Sequence, residues 1–418
     1  MTSEQARRAI DAAWRIESPK LVATLARMLR DVGMAEEFAQ DALVAALETW
    51  THSGVPDNPG AWLMATAKHR AIDFLRRKQM LDRKHEQLGW SQQGAQDDEA
   101  ARIEAQLDDD IGDDLLRLIF VACHPVLPTE ARVALTLRLI GGLTTTEIAR
   151  AYLAPEATIA QRIVRAKRTL AEKDILFEVP GADERIARLQ SVLEVIYLIF
   201  NEGYAATSGD DWMRPGLCED AIRVGRVLAG LVPDDAETHG LVALMELQAS
   251  RARARLDASG EPILLREQNR SRWDQLLIRR GLAALDLAER LDHGRGAYTL
   301  QAAIAACHAR ANDVESTDWK QIAALYAELA AISPSPVIEL NRAVAVSMAE
   351  GPQLALDLVD TLRDLPALAH YHLLPVVRGD LLAQLGRAAE ARAEFERAAT
   401  MTRNERERAL LLERARSA

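Results

Sequence analysis

The sequence predicts an all-α protein, and three observations predict it. Hydrophobic residues make up 49% of the chain and aromatics only 5%, so alanine and leucine must carry the packing, which is a helical composition. Apolar residues recur at helical spacing: wound at about 100° per residue, the stretch 59–78 places Leu63, Met64, Ala67, Ala71, Phe74 and Leu75 on one arc. The breaks between such stretches are short and built from Gly, Pro, Asn and Asp, which stop one helix and aim the next.

At 418 residues the chain has room for about two to four domains, each with its own core. No apolar run of about 18 residues occurs and the start, MTSEQARRAIDAAW, lacks an apolar signal core. A cytoplasmic protein without a membrane partner is expected. Cys123, Cys218 and Cys307 lie far apart without paired metal-ligand spacing and read as buried thiols, so no metal or cofactor is expected. The net charge of −11 argues against DNA binding by bulk attraction. The charge is uneven, however: residues 68–84 hold seven Lys/Arg against two Asp, and residues 97–114 hold nine Asp/Glu against one Arg. Contact with nucleic acid must be local and aided by a partner.

In chain order, residues 5–32 read as a pair of amphipathic helices broken near Ser18-Pro19. The next helix, Ala35 to Trp50, turns Phe38, Ala42, Ala45, Ala46 and Thr49 inward and leaves Glu37, Gln40, Asp41, Val44 and Glu48 outside. The loop THSGVPDNPG follows, with Asn58-Pro59 as a helix start that puts Pro at the first helical position. The outer arc of the helix after it carries Trp62, Thr66, His69, Arg70, Asp73, Arg76 and Arg77. Two readings of that arc stand side by side. An aromatic among basic and hydrogen-bonding side chains suits capture of an unstacked base beside its phosphates; alternatively, Trp62 packs on the preceding loop and the arginines complement the helix dipole.

Residues 86–113 mix Gln, Gly, Asp and Glu and read as an acidic flexible linker. An apolar helix, Asp114 to Ala122, and a second, Pro128 to Ile140, lead to Gly141-Gly142. Thr144 with Glu147 forms a capping box for a short helix ending near Leu153, with Leu143 and Ile148 as a hydrophobic staple. The helix after Ala154-Pro155 buries Ile159, Ile163, Ala166 and Leu170 and presents Thr158, Gln161, Arg162, Arg165 and Arg168. A short capped helix followed by one bearing Gln and Arg suits a major groove, where Arg pairs with guanine and Gln with adenine.

Beyond Val179-Pro180-Gly181 the chain becomes alanine-rich helices between short turns. A shift of 36 residues pairs Ala343 with Gly379, Ala355 with Ala391, Val359 with Phe395 and Leu362 with Ala398. Gly379, Leu382, Gly386, Ala391, Phe395 and Ala398 fit a tetratricopeptide helix pair, small residues where helices touch and a large one between them. Ala221, Gly225, Leu228 and Pro233 match in part, and residues 250–318 are less regular. The segment YLIFNEGYAATSGDDWMRP, 197–215, reads as a hinge, a ligand pocket or a packed junction.

With these motifs in place, residues 1–80 followed by 114–175 resemble the two regions of an extracytoplasmic-function sigma factor, a bacterial RNA polymerase specificity subunit. AEEFAQDALVAALETW resembles the region 2 helix that grips the clamp of the polymerase's largest subunit, which makes Glu37, Gln40, Asp41, Val44 and Glu48 the expected polymerase contacts. PGAWLMATAKHRAIDFLRRK resembles the segment that melts and reads the −10 element, with His69 where the family commonly has Asn. LTTTEIARAYLAPEATIAQRIVRAKRTL resembles the region 4 helix-turn-helix that reads the −35 element, and Ala157-Thr158-Ile159 stands where Gly-Thr-Val is usual. The expected organisation is a region 2 bundle over 1–85, an acidic linker over 86–113, a region 4 helix-turn-helix over 114–178, and a tetratricopeptide-like α-solenoid over 179–418. The extension resembles that of one subgroup, in which it stands in for a separate anti-sigma factor, so cis regulation with a protein or small-ligand partner is expected. The sequence contains no P-loop, nucleophile elbow, HExxH or dinucleotide loop, so no enzyme is expected. The competing reading is a helical-repeat adaptor with a vestigial sigma-like start.

Overall fold

The computed structural model describes residues 3–86, 111–152, 154–204, 213–257, 263–291, 295–369, 371–402 and 405–417, and every regular element among them is helical. The chain forms two compact units, Met1–Ile196 and Tyr197–Ala418.

In the first unit, α1 (Ser3–Leu29) packs on α2 (Val32–Ser53), α3 (Pro59–Glu86) and α4 (Ile111–Ala122). Helix α1 is continuous, with Pro19 inside it, where the sequence suggested a break. Proline removes one backbone donor, but Leu21, Val22, Leu25 and Ala26, all buried, hold the helix from outside. The carboxylate of Asp31 caps α2 by accepting from Met34 N at 3.0 Å. The buried stripe of α2 is Ala35, Ala39, Ala42, Ala46 and Trp50. Phe38 and Ala45 lie at its edge and Thr49 is exposed, contrary to expectation, because the four-residue step from Ala46 reaches Trp50. Helix α3 starts as its sequence indicates, with Asn58 Oδ1 accepting from Ala61 N at 3.0 Å. Leu63, Ala67 and Ala71 are buried, with Met64, Phe74 and Leu75 half-buried.

The expected linker lies mainly outside the described residues, but residues 111–113 already belong to α4. After α4 come α5 (Thr129–Leu139), α6 (Thr145–Ala151) and α7 (Glu156–Glu172). The capping box of α6 is formed on both sides: Thr144 N donates to Glu147 Oε2 at 2.8 Å and Glu147 N to Thr144 Oγ1 at 3.1 Å. Thr146 Oγ1 donates to Glu156 Oε1 at 3.0 Å and pins the turn into α7. Helix α8 (Ala182–Tyr204) contributes its start to this unit. Arg132 donates to Ser191 Oγ at 2.5 Å, and Ser191 donates to the Cys123 carbonyl at 2.8 Å. The compact division therefore falls after Ile196, beyond the composition change near 179.

The second unit continues with α9 (Pro215–Leu231), α10 (Ala236–Ala249), α11 (Gln275–Leu291), α12 (Ala297–Arg310), α13 (Trp319–Ile332), α14 (Pro336–Glu350), α15 (Pro352–Leu362), α16 (Leu373–Gln384), α17 (Ala388–Met401) and α18 (Glu405–Ser417). Each packs chiefly on near neighbours in sequence, as in an α-solenoid. Ala343, Ala355, Val359, Ala391 and Ala398 of the repeat pattern are buried. A Cβ at Gly379 would stand 2.8 Å from Phe395 Cε1, so only glycine permits this approach. Arg378 beside it bridges Asp360 and Glu394, each at 2.8 Å. Glu237 of α10 caps α12, accepting from Tyr298 N at 2.8 Å and Thr299 N at 2.9 Å. All three cysteines are free and buried. Burial pushes the Cys123 thiol up to about 11 and that of Cys218 up to about 12.

Candidate nucleic-acid interface

Three helical faces of the first unit carry the candidate residues. On α3, His69, Arg70, Asp73, Arg76 and Arg77 are exposed, while Trp62 and Thr66 are half-buried. The Trp62 ring meets Trp50 of α2 edge-on, with centroids 5.2 Å apart. Trp50 is sealed in the core, so it braces Trp62 from behind and leaves part of that ring accessible. Thr66 Oγ1 donates to the Trp62 carbonyl at 2.8 Å.

On α2, Glu37, Val44 and Glu48 are exposed. Val44, 52% exposed, and Leu47 form an apolar spot in an acidic face, a composition suited to a protein partner. Asp41 reaches across to Arg70 of α3 at 3.2 Å. Both side chains are close to half exposed, so the pair contributes little to stability and is readily exchanged for other partners.

On α7 the expected division holds at every position. Ile159, Ile163, Ala166 and Leu170 are buried; Gln161, Arg165 and Arg168 are exposed; Thr158 and Arg162 are partly so. Arg168 pairs with Glu172 one turn on, at 3.4 Å. Val164, 63% exposed, adds an apolar contact to the same outer surface.

Sequence reasoning missed the residue that ties these faces together. Glu36 is only 5% exposed, and its carboxylate accepts from Arg138 Nε of α5 at 2.5 Å and from Lys167 Nζ of α7. Gln40, a candidate polymerase contact, donates to the same Glu36 oxygen at 2.7 Å. Burial by itself would raise the Glu36 pKa, but the charges and hydrogen bonds of Lys167 and Arg138 outweigh it, so the carboxyl lies below its ordinary range. A second ion pair joins α1 to α4: Asp114, fully buried, sits 2.9 Å from Arg27 Nε and 2.7 Å from Arg117 Nη1. The one signal in the sequence was a glutamate between Ala35 and Ala39 at the border of an alanine stripe, which asks for buried cationic partners.

Residues 14–80 match the family described as sigma-70 region 2, residues 117–170 the family described as sigma-70, region 4, and residues 188–289 a family of unknown function, DUF6596. The ECF RNA polymerase sigma factor SigK of Mycobacterium bovis (strain BCG / Pasteur 1173P2) is 32% identical over 148 residues, which cover 34% of this chain and 74% of the relative. The chain belongs to the ECF sigma factors of the sigma-70 family. SigK of Mycobacterium ulcerans (strain Agy99) is 31% identical over 150 residues, covering 35% of this sigma factor and 75% of its own length. Uncharacterized protein R00370 of Rhizobium meliloti (strain 1021) is 44% identical over 405 residues, or 96% of this chain and 94% of the relative, so its likeness includes the C-terminal extension. The sigma factor acts in transcription initiation, with core RNA polymerase and promoter DNA as the partners its regions imply. Members of this family are transcription factors without covalent chemistry. Among the described residues, no helix is long and apolar enough to cross a membrane.

Proposed function

We propose that this sigma factor docks on the clamp of the polymerase's largest subunit through Glu37, Gln40, Asp41, Val44 and Glu48 of α2. It captures unstacked −10 bases with Trp62, Thr66 and His69 among Arg70, Asp73, Arg76 and Arg77, and reads the −35 element with Thr158, Gln161, Arg162, Arg165 and Arg168. It works in the cytoplasm, where the polymerase is, and the helical extension regulates it in cis. The observation that carries this reading is the sorting on α7, with Gln161 and Arg165 open to solvent above a fully buried stripe.

Geometry adds a step. Elements centred at −10 and −35 lie about 85 Å apart along a duplex at about 3.4 Å per base pair. A compact unit such as Met1–Ile196 has a radius of gyration of only about 16 Å. The two reading faces cannot serve both elements while Glu36 holds Lys167 and Arg138. The clasped arrangement is thus the state before promoter engagement, and the polymerase separates α7 from α2 as it binds. Gln40 supplies the coupling, because a partner that takes its carboxamide withdraws one hydrogen bond from Glu36.

Transcription from core polymerase plus the purified sigma factor, on promoters found by mapping transcripts induced by its overexpression, tests the whole. Arg165→Ala is expected to cost about 1 to 3 kcal/mol of discrimination at a single −35 position and to relax preference there. Uniform weakening at every promoter would show that Arg165 meets only phosphate. Trp62→Ala is expected to lose about 1 to 3 kcal/mol of stacking. Transcription should recover on a template already unpaired at −10, and Trp62→Phe should retain most activity because it keeps an aromatic beside Trp50. An equal defect on paired and unpaired templates would remove Trp62 from base capture.

A further inference from the structure

The second unit contains a cavity of about 180 Å³ between the end of α8 and the helices α10, α12, α13 and α14. No Asp, Glu, Lys, Arg or His side chain lines it. Its aliphatic surface comes from Leu244, Ile304, Leu329 and Ile338 and its aromatic surface from Phe200 and the tyrosine rings, while its polar groups are carboxamides and phenols. Some of these are already engaged: Tyr197 donates to Gln301 Oε1 at 3.3 Å, Gln301 Nε2 donates to the Ala297 carbonyl at 3.1 Å, and Gln248 Oε1 accepts from Arg251 at 3.2 Å.

Others are not. Among the described residues, the half-buried Asn201 and Tyr326 and the exposed Asn341 at the rim have no side-chain hydrogen-bond partner, and Gln248 retains its amide donors. Polar groups with spare hydrogen-bonding capacity that converge on a concave, partly open pocket are the usual mark of a ligand site. Burial of the Tyr326 hydroxyl, with the neighbouring Tyr197, pushes it up to about 12, leaving it a neutral donor. The aromatic wall is braced from behind: Tyr204 lies against Phe200 with planes 15° apart, and Arg255 sits 3.7 Å from the Tyr204 ring centroid.

Size, charge and pattern narrow the occupant. A cavity of roughly 150 Å³ suffices for benzene, so about 180 Å³ takes one ring with a few substituents. The absence of an ionised wall disfavours phosphates, free amino acids and ammonium ions, whose charges would go unpaired. A carboxamide presents a donor beside an acceptor, which pairs two-point with a ring edge of the opposite order, and aromatic walls favour a planar face.

We infer that this cavity is a binding site for an uncharged planar nitrogen heterocycle of nucleobase size, stacked on the aromatic wall and read at its edge by Asn201, Asn341, Gln248 and Tyr326. Only the consequence of binding rests on the regulatory role proposed for the extension; binding itself does not. Calorimetric titration of the full chain with adenine, hypoxanthine, cytosine and uracil, beside glucose, galactose and adenosine monophosphate, tests it. At least one free base is expected to bind, with Asn201→Ala weakening it tenfold or more, and with Tyr326→Phe, which removes a single oxygen and keeps the packing, weakening it severalfold. Binding of a sugar or the nucleotide alone, binding of no compound, or base binding indifferent to both variants would each overturn the assignment. If a base binds and transcription does not change, the site stands and cis regulation falls.

Discussion

Replacing Glu36 by glutamine is expected to release α7 from α2, lowering the stability of the first unit by about 3 kcal/mol while raising transcription at limiting polymerase. The carboxylate is the shared partner of Arg138 and Lys167. Taking away one member of a buried ion pair costs about 3 to 5 kcal/mol because the remaining charges stay poorly hydrated. Arg138 and Lys167 keep 18% and 23% of their side-chain surface, which places the cost at the low end. Hydrogen exchange in α7 should accelerate, and the gain in transcription should exceed that of a surface control away from the reading faces such as Glu130→Gln, which is exposed. Exchange and transcript both at wild-type levels would eliminate the clasp as a barrier to promoter engagement. The pH dependence has a definite sign. Because the Glu36 pKa is lowered in the fold, its stabilisation is fully present above the ordinary carboxylate value of about 4.3 and is lost as pH falls from there through the lowered value. The stability difference between wild type and Glu36→Gln should therefore shrink over that acid range and stay constant above it.

Phe395→Ala is expected to be the most damaging single change in the second unit, at about 3 to 5 kcal/mol. The ring is 2% exposed, fills the approach of α16 to α17 above Gly379, and has Arg414 of α18 over its face at 4.4 Å. Gly379→Ala attacks the same contact from the other side, since the added methyl would meet the ring at 2.8 to 3.1 Å. Such overpacking costs about 1 to 3 kcal/mol. Combining the two should cost clearly less than the separate losses together, because the methyl enters space the ring has vacated. Denaturant unfolding, with exchange protection in α16 and α17 as the local readout, measures this. Strict additivity would mean that the glycine does not exist to admit the phenylalanine. Transcription by the Phe395→Ala protein, at a temperature where its second unit has melted and the wild-type unit has not, further tests cis regulation: an unaltered level counts against it.

Much of the candidate site was legible because helical periodicity writes burial into a single strand of sequence. The stripe Ile159, Ile163, Ala166 and Leu170 leaves Gln161 and Arg165 no other face, and Thr144 with Glu147 declares its cap within four residues. The misreadings share a cause. Pro19 suggested a break because local propensity was weighed without the neighbours that bury Leu21 and Leu25. Thr49 was placed inside where Trp50 goes, since a step of three or four residues leaves a one-residue ambiguity at a stripe's end. Trp62 could be given a nucleic-acid role but not its brace on Trp50.

By itself the sequence determined the helical class, the order of the elements and the outward faces of α3 and α7, all properties set within a few helical turns. Only the tertiary structure decided that Glu36 joins residues 102 and 131 positions away, that α8 begins within the first unit, and that carboxamides and phenols from separate helices line one cavity. Periodicity tells each helix which side to bury and says nothing about which other helix will cover it. That pairing is settled by the packing of the whole chain, where one buried charge or one absent methyl selects the partner.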